Sequence, residues 1–459
     1  MAGSRRRRQL HRQRARTAAA EKQSSTPPDD VRAIVDRLPP ELLAEVHSRL
    51  PFLARLAFAL AYAAAPGSRL MRPEPPWLLL SGDGDETIAT AFSLADGAAA
   101  AAVRAPSPAM RGHVVLGSGG GWLVTADERG ALRMANPASG EHADLPDLAA
   151  DPLFLAAGSC FMLDAEAFAQ LRFGGPPPPG ETLWWPIPPR TYTMTAEQMR
   201  RSFYRKVVLA AMPESGGYAA MLILQPPFAV PAFATAEDPA WRLAPSRDGV
   251  ADAIHHDGRF HSITYSGVVE AWDRDADTGE YTSTALSPRL PDDTDGGDGR
   301  RRHRTYLAAA PDGRLMAVIK YSGEVVDGVR RTVTRPFFKV RVLDRERAHG
   351  GAWVEAADDI VGDAAVFVGV NGSLCVPARE HDGGIRAGCV YFTDDDIGEA
   401  ALRHEHEKER RAYLRERDDD EVRYLGVYSL AERRAERIPG LTTKRRCWPP
   451  AVWFTPSFS

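Results

Sequence analysis

The sequence predicts a mainly β chain, a single propeller of about six blades closed by a C-terminal strand and preceded by a short α-helical segment. Three features carry this expectation. From Trp77 onward, short runs rich in Val, Ile, Tyr, Phe and Trp are broken by tight-turn dipeptides, the pattern of an all-β domain. Ala251 to Leu286 reads as four antiparallel strands joined through Asp257-Gly258 and Ser266-Gly267, which is the size of one propeller blade. Thr305 to Ala356 repeats that order, with a loop inserted at Gly323 to Arg335.

Composition bounds the alternatives. The chain has 459 residues, a net charge of −4 and 44% hydrophobic residues, and its 39 Gly and 36 Pro imply many turns. Collagen, coiled coil and bulk disorder are excluded. No run approaches the ~18 apolar residues of a membrane span, and the N-terminus lacks the apolar core of a secretory signal. A soluble, intracellular protein without a membrane partner is expected. Cys160, Cys375, Cys389 and Cys447 show no C-x-x-C spacing and read as buried small hydrophobes.

Residues 1–30 are expected to form a disordered basic arm. Residues 1–22 hold eight Lys or Arg against Glu21 alone, a local charge of +7 that leaves −11 for the rest. Such an arm fits a solvated tail, a nuclear address, a transit peptide or a tail touching nucleic acid. The nucleus and/or cytoplasm is the expected location, with an organelle as the alternative. An acidic body without a base-stacking pattern makes nucleic acid an unexpected main ligand.

Residues 31–68 carry two helical pieces. Leu38, Leu42, Leu43, Val46 and Leu50 repeat at helical spacing, with Pro40 in the first turn and Pro51 ending the helix. Phe52, Leu53, Leu56, Phe58 and Leu60 follow and stop at Pro66-Gly67. Two short helices cannot bury such stripes alone and must pack on another surface.

The propeller is expected over 72–459. Besides the two clear units, weaker copies span His113 to Leu145, Tyr204 to Leu243 and Ala364 to Ile438, and Trp77 to Val103 is short of one strand. Val452-Trp453-Phe454 is apolar and β-prone, and is expected to supply that strand, since closure removes exposed sheet edges. Phe173 to Met199, with Trp184-Trp185, and the charged stretch Arg403 to Glu421, within an insertion near 399–421, read as surface loops or an exposed helix.

Several motifs together resemble a known family. Leu38-Pro39-Pro40-Glu41-Leu42-Leu43-Ala44-Glu45-Val46-His47-Ser48-Arg49-Leu50-Pro51 resembles the start of an F-box. Gly121-Trp122-Leu123, Asn136-Pro137, Asp238-Pro239-Ala240-Trp241, Val269-Glu270-Ala271-Trp272-Asp273 and Cys389-Val390-Tyr391-Phe392-Thr393-Asp394-Asp395 resemble the plant F-box-associated propeller of KIB type, a domain of unknown function. The resemblance implies a non-enzymatic substrate receptor of a cullin-RING (SCF-type) ubiquitin ligase without cofactors. Leu38, Pro39, Leu42, Leu43, Val46, Leu50 and Leu53 would grip a Skp-type adaptor, while the propeller would hold a protein substrate that the sequence does not identify. The family's third helix usually carries a Cys and a Trp, whereas here the chain reads Leu60-Ala61-Tyr62-Ala63-Ala64-Ala65-Pro66-Gly67. A propeller interaction scaffold that has lost adaptor binding is the alternative.

Other tempting motifs reduce to structure. Gly117-Ser118-Gly119-Gly120-Gly121 lacks the sixth position of a phosphate-binding glycine loop and reads as a strand turn. His404 and His406 point to different sides of a helix. Asp394-Asp395-Asp396 and Asp292 to Asp298 lack calcium-loop spacing and read as acidic turns. Asn371-Gly372 reads as a hairpin turn, and His255-His256 with Asp257 as the end of a strand. Trp122, Trp241, Trp272 and Trp353 are assigned to packing between blades.

Overall fold

Pro39 and Pro40 set the start of the helix Pro40–Arg49: Pro39 occupies the N-cap position and Pro40 the first helical residue, where a missing N–H costs nothing. The computed structural model describes residues 38–50, 54, 55 and 58 and, with interruptions of which 165–190 and 411–421 are the longest, 75–455. The chain divides between Arg72 and Pro73 into two compact units. In the first, Leu50 is extended ahead of Pro51 and ends the helix, as expected. The apolar face is not one stripe. Leu43 and His47 form a buried pair four residues apart, whereas Leu42 and Val46 form a second pair turned to solvent. The His47 ring packs 6.2 Å from Phe58.

The second unit is the six-bladed propeller. Blade 1 holds Trp77–Ser81, Ala89–Ser93 and Val103–Arg104, and the C-terminal Val452–Phe454 completes it as its inner strand. Trp77 pairs with Phe454, Leu78 with Trp453 and Leu79 with Val452, antiparallel. Blades 2, 3, 4 and 5 begin with the inner strands Val114–Gly119, Tyr204–Met212, Val250–His256 and Arg301–Ala309, each followed outward by three more strands. Blade 6 has five strands, with Ser373–Pro377 innermost and Ala364–Val368 parallel to Cys389–Phe392. Blade 5 also carries the hairpin Glu324–Asp327/Arg330–Val333 where a loop was expected.

Burial on both faces explains the composition of these strands. A blade lies between two others, so inner and second strands such as Leu222 to Leu224 or Ala364 to Val368 are continuously buried rather than alternating. The inner strands of blades 2 and 3 meet backbone to backbone: a Cβ on Gly117 would sit 2.0 Å from the Val207 carbonyl oxygen, and one on Gly119 2.4 Å from that of Leu209. Only glycine fits there. The predicted turn follows, with Gly120 and Gly121 at φ of 55° and 80°.

Indoles fasten blade to blade. Trp241 Nε1 of blade 3 donates to the Pro146 carbonyl after blade 2 (2.6 Å), and Trp353 Nε1 of blade 5 to the Pro288 carbonyl after blade 4 (3.0 Å). Trp272 of blade 4 lies 5.2 Å from Phe233 of blade 3, which itself stacks on Tyr281 at 4.0 Å. Trp122 is half-buried. Of the cysteines, only Cys389 is buried; Cys160 and Cys375 are half-buried, and Cys447 lies outside the described residues.

Two insertions refine the expectation. Phe154–Ala157, Cys160–Asp164 and Thr191–Thr195 form a three-stranded sheet between blades 2 and 3. It is not a blade, because the inner strands of blades 2 and 3 pack directly on each other. Thr195 and Gln198 then make a reciprocal capping box that opens one helical turn and the π-turn Met199–Phe203. Trp184-Trp185 lies outside the described residues, as do residues 1–37 and Asp292 to Asp298. The charged insertion begins with the helix Ile397–Arg410, whose middle residue Leu402 is exposed.

Asn371 is more than a hairpin residue. Fully buried, it donates Nδ2 to the Trp453 carbonyl (2.6 Å) and to Ser118 Oγ (2.8 Å), and its Oδ1 accepts from Trp453 N–H (3.2 Å). Blade 6 thereby clamps the closing strand at its center, and Trp453 Nε1 returns a bond to the Val368 carbonyl. Asn371→Ala leaves a buried N–H and C=O unpaired, a loss of about 2–4 kcal/mol. Urea denaturation is expected to show that drop, with Ser118→Ala costing about 1 kcal/mol or less. An unchanged midpoint for N371A would show that the strand closes the ring without this clamp.

Candidate functional site

Three surfaces of the described residues have the makings of a site. The first is the helix Pro40–Arg49. Leu42 is 50% and Val46 40% exposed, and Pro39, three residues before Leu42, is exposed beside them. At i, i+3 and i+7 these three share one side of the helix. Leu43 is buried, Leu38 and Leu50 are half-buried, and Leu53 lies outside the described residues. Of the seven expected adaptor contacts, the helix therefore offers Pro39, Leu42 and Val46 to a partner. Arg49 pairs with Glu45 at 2.6 Å alongside them.

The second is the propeller channel. A cavity of about 370 Å³ is lined by Ser118, Gly119, Lys206, Ile254, Ser373 and Thr455, among others, so five of the six blades contribute to it. Behind the lining residues Lys206 and Ser373, Asp252, 1% exposed, accepts from Lys206 Nζ (2.6 Å), Leu307 N–H (2.9 Å) and Ser373 Oγ (3.0 Å). One carboxylate thus ties together the inner strands of blades 3, 4, 5 and 6. Register slips place these charges. On the inner strands of blades 2 to 5 the pairing skips one residue, and the next residues are Gly117, Lys206, Asp252 and Arg304. Burial holds the Lys206 ammonium below its usual range, and the positive charges of Arg304 and Arg205 push the same way against the pull of Asp252.

The Asp394-Asp395-Asp396 run, expected as an acidic turn, is instead anchored. Asp395 is buried and accepts from both Lys320 Nζ and Tyr306 Oη of blade 5. Asp394 pairs with Arg403, whose guanidinium lies 3.7 Å from the center of the Tyr424 ring. Asp396 Oδ2 accepts from Gln225 of blade 3 (2.9 Å), and Glu405 pairs with Arg201. The helix that starts in blade 6 is in this way tied to blades 3 and 5. His404 stacks 6.4 Å from Trp448. Among the described residues no group of three or more His, Cys, Asp or Glu side chains could hold a metal ion, and no helix is long and apolar enough to cross a membrane.

Of these residues the glycine turn at 117–121 and the Asp394–Asp396 run are singled out from the sequence, but Lys206, Asp252, Arg304 and Ser373 are not. The signal was a charged side chain inside an otherwise apolar inner strand, as in Lys206, Asp252 and Arg304. Which of them meet depends on how blades are arrayed, which local pattern does not show.

The third surface is a cleft of about 840 Å³ between blades 4 and 5, lined by His256, Asp257, Arg259, His261, Asp312 and Arg314, among others. His256 Nε2 lies 3.0 Å from the Gly313 carbonyl oxygen, a strand-end role rather than acid/base work, while His255 is exposed against Phe260. Burial first, then the neighboring His256 and Arg345, pushes buried His261 down to about 4. The fold therefore keeps this imidazole neutral, whereas the unfolded chain protonates it near pH 6.5. Stability should fall as pH drops from about 6.5 toward 4, by about 2–3 kcal/mol from this group. In urea denaturation at pH 7 and pH 4.5, the stability lead of wild type over His261→Gln should shrink by about 2 kcal/mol. A lead that is the same at both pH values would refute the assignment.

Comparison with known proteins places this geometry in a family. No curated protein matches the chain. Among solved structures it is similar to YCF48 from Cyanidioschyzon merolae (11% identity, 54% of this chain and 73% of that one, TM-score 0.24). It is also similar to the Malassezia sympodialis allergen Mala s 1 (9%, 54% and 92%, TM-score 0.20) and to the Cps50 (Swd1) β-propeller domain of Myceliophteria thermophila (12%, 53% and 85%, TM-score 0.20). Likeness at that level says nothing of function. The model of the KIB1-4 beta-propeller matches residues 91–429, about three quarters of the sequence, from blade 1 to blade 6. With six blades, a C-terminal closing strand and this match, the chain belongs to the KIB1-4 β-propeller family.

Proposed function

We propose that this propeller protein is a non-enzymatic substrate receptor of an SCF-type ubiquitin ligase, with the helix Pro40–Arg49 as its adaptor grip. β-Propellers commonly serve as interaction scaffolds, and the family match supports that coarser reading. The single observation that favors the finer one is the outward pair Leu42 and Val46 next to Pro39, on a segment that resembles an F-box. Large apolar side chains four residues apart are the usual anchors of a helix laid against a partner. The adaptor would be of Skp type, and the propeller would present a protein substrate to the ligase. The scaffold reading, without adaptor, is the alternative. The basic arm would direct the chain to the nucleus.

Because Leu42 and Val46 face solvent, Leu42→Asp with Val46→Asp should leave the fold intact and still abolish co-purification of a Skp-type adaptor with the full chain. Each desolvated carboxylate would cost several kcal/mol in the interface. No adaptor with the wild-type chain would establish the scaffold reading instead. A reporter fused to residues 1–22 should enter the nucleus and become diffuse when Arg5, Arg6, Arg7 and Arg8 are changed to Ala; a wild-type arm that leaves the reporter diffuse is only a solvated tail.

A further inference from the structure

Asp394, Asp395 and Asp396 carry the chain of blade 6 across one end of the channel. Asp395 reaches Lys320 and Tyr306 of blade 5, and Asp396 reaches Gln225 of blade 3, the blade that stands opposite blade 6 in a ring of six. Ile397, Ala400 and Ala401 are buried behind them, and Glu405 pairs with Arg201. Gln225 bonds to the Phe203 carbonyl and Lys320 pairs with Arg304, so this strap covers the end where the inner strands of blades 3 and 5 begin. At the other end Gly120, His255 and Thr455 line the cavity and are exposed, so its mouth opens where the inner strands finish. The channel is therefore blind. Its floor is set by Lys206 and Ser373, which both line the cavity and both bond to Asp252.

Shape limits what can enter. The inner strand of blade 3 lines the cavity from Ala210 down to Lys206, a depth of about 13 Å at ~3.3 Å per residue. A volume of about 370 Å³ over that depth leaves a shaft roughly 6 Å across, which admits one extended chain but not a helix of about 10–12 Å with its side chains. No aromatic ring is among the lining residues, so the shaft has no face on which a nucleobase would stack.

The floor offers donors and no free acceptor carboxylate. Lys206 Nζ gives one hydrogen to Asp252 and has no other partner among the described residues, which leaves N–H groups for a ligand. Ser118 Oγ accepts from Asn371 Nδ2 and keeps its own hydrogen to donate. Asp252 is filled by three donors and is not part of the lining. It neutralizes Lys206, as Asp395 does Lys320 and Asp394 does Arg403, while Arg205, Arg304 and Asp396 also lie outside the lining. A doubly charged anion therefore meets no matching excess of charge, and an ammonium meets no acceptor. A single carboxylate accepts what Lys206 and Ser118 have left to give.

We infer that the shaft captures the C-terminal tail of a partner polypeptide, its terminal carboxylate bonded by Lys206 and its last few residues extended past His255 and Thr455. The cleft between blades 4 and 5 begins at His256, next to His255, and gives the rest of the tail a track on the same face. This inference rests on the reading of the propeller as an interaction scaffold and does not depend on the adaptor.

Two phage-displayed libraries of random short peptides, one ending in a free C-terminus and the other in a free N-terminus, are panned on the full chain. Peptides selected from the first are then labeled at the N-terminus and titrated by fluorescence anisotropy, as free acids and as C-terminal amides. One-site binding of the free acids is expected, weakened at least tenfold by amidation and at least tenfold in Thr455→Trp. Thr455 is exposed at the mouth, so T455W should block entry with an unchanged urea midpoint; should it fail to fold, His255→Trp, at another exposed mouth residue, is read in its place. The inference is overturned if the first library yields no binder, if the amides bind as tightly as the acids, or if blocking the mouth changes nothing. Binders from the second library alone would overturn it while keeping the scaffold reading, and adaptor co-purification is a separate measurement that none of these outcomes touches.

Discussion

The pairing of Trp77–Ser81 with Val452–Phe454 is the contact on which the rest of the propeller depends. Six blades in a row would leave the two terminal sheets uncovered and the first blade with an unpaired inner edge. One three-residue strand removes both problems, joining chain segments more than 370 residues apart. Such a long closure is entropically expensive, although the cost grows only slowly with loop length. It is offset locally by the burial of Trp453 and Phe454, about 1.5–3 kcal/mol for each large side chain, and by the Asn371 clamp on the Trp453 backbone. Closure also creates the channel, because only a closed ring brings blade 1 beside blade 6.

Inside the ring, two kinds of contact hold the blades in place. Toward the rim the joints are aromatic, with indole N–H groups bonded to carbonyls of the preceding blade's exit loop. Near the axis they are ionic. Asp252 collects donors from three other blades, so its loss would leave Lys206 buried and unpaired, which costs far more than a surface ion pair contributes. The register slips that aim Lys206, Asp252 and Arg304 recur on successive inner strands, the sort of local irregularity that re-aims side chains next to sites.

The helix of the charged insertion shows how a surface-like sequence becomes structural. Arg403, Glu405 and the three aspartates before them look like a solvated stretch, but the helix leaves blade 6 and reaches blades 3 and 5 through Gln225, Arg201, Lys320 and Tyr306. The first turn buries Ile397, Ala400 and Ala401, so the polar anchors act together with a small apolar face.

The sequence by itself determined the all-β class, the six units, the glycine turn at 117–121, the interblade indoles and the closing strand. Each of these follows from local pattern: period, turn chemistry and a missing strand that an apolar C-terminus could supply. Tertiary structure alone decided the five-stranded blade 6, the small sheet between blades 2 and 3, and the splitting of Leu42 and Val46 from Leu43. It alone brought Lys206, Asp252, Leu307 and Ser373 together and Asn371 to Trp453. Partners 46 to 121 residues apart meet only once the blades are arrayed around the axis. A charge in an apolar run marks a position, but its neighbors across the axis are set by blade order and by single-residue slips in register, for which short-range periodicity carries no signal.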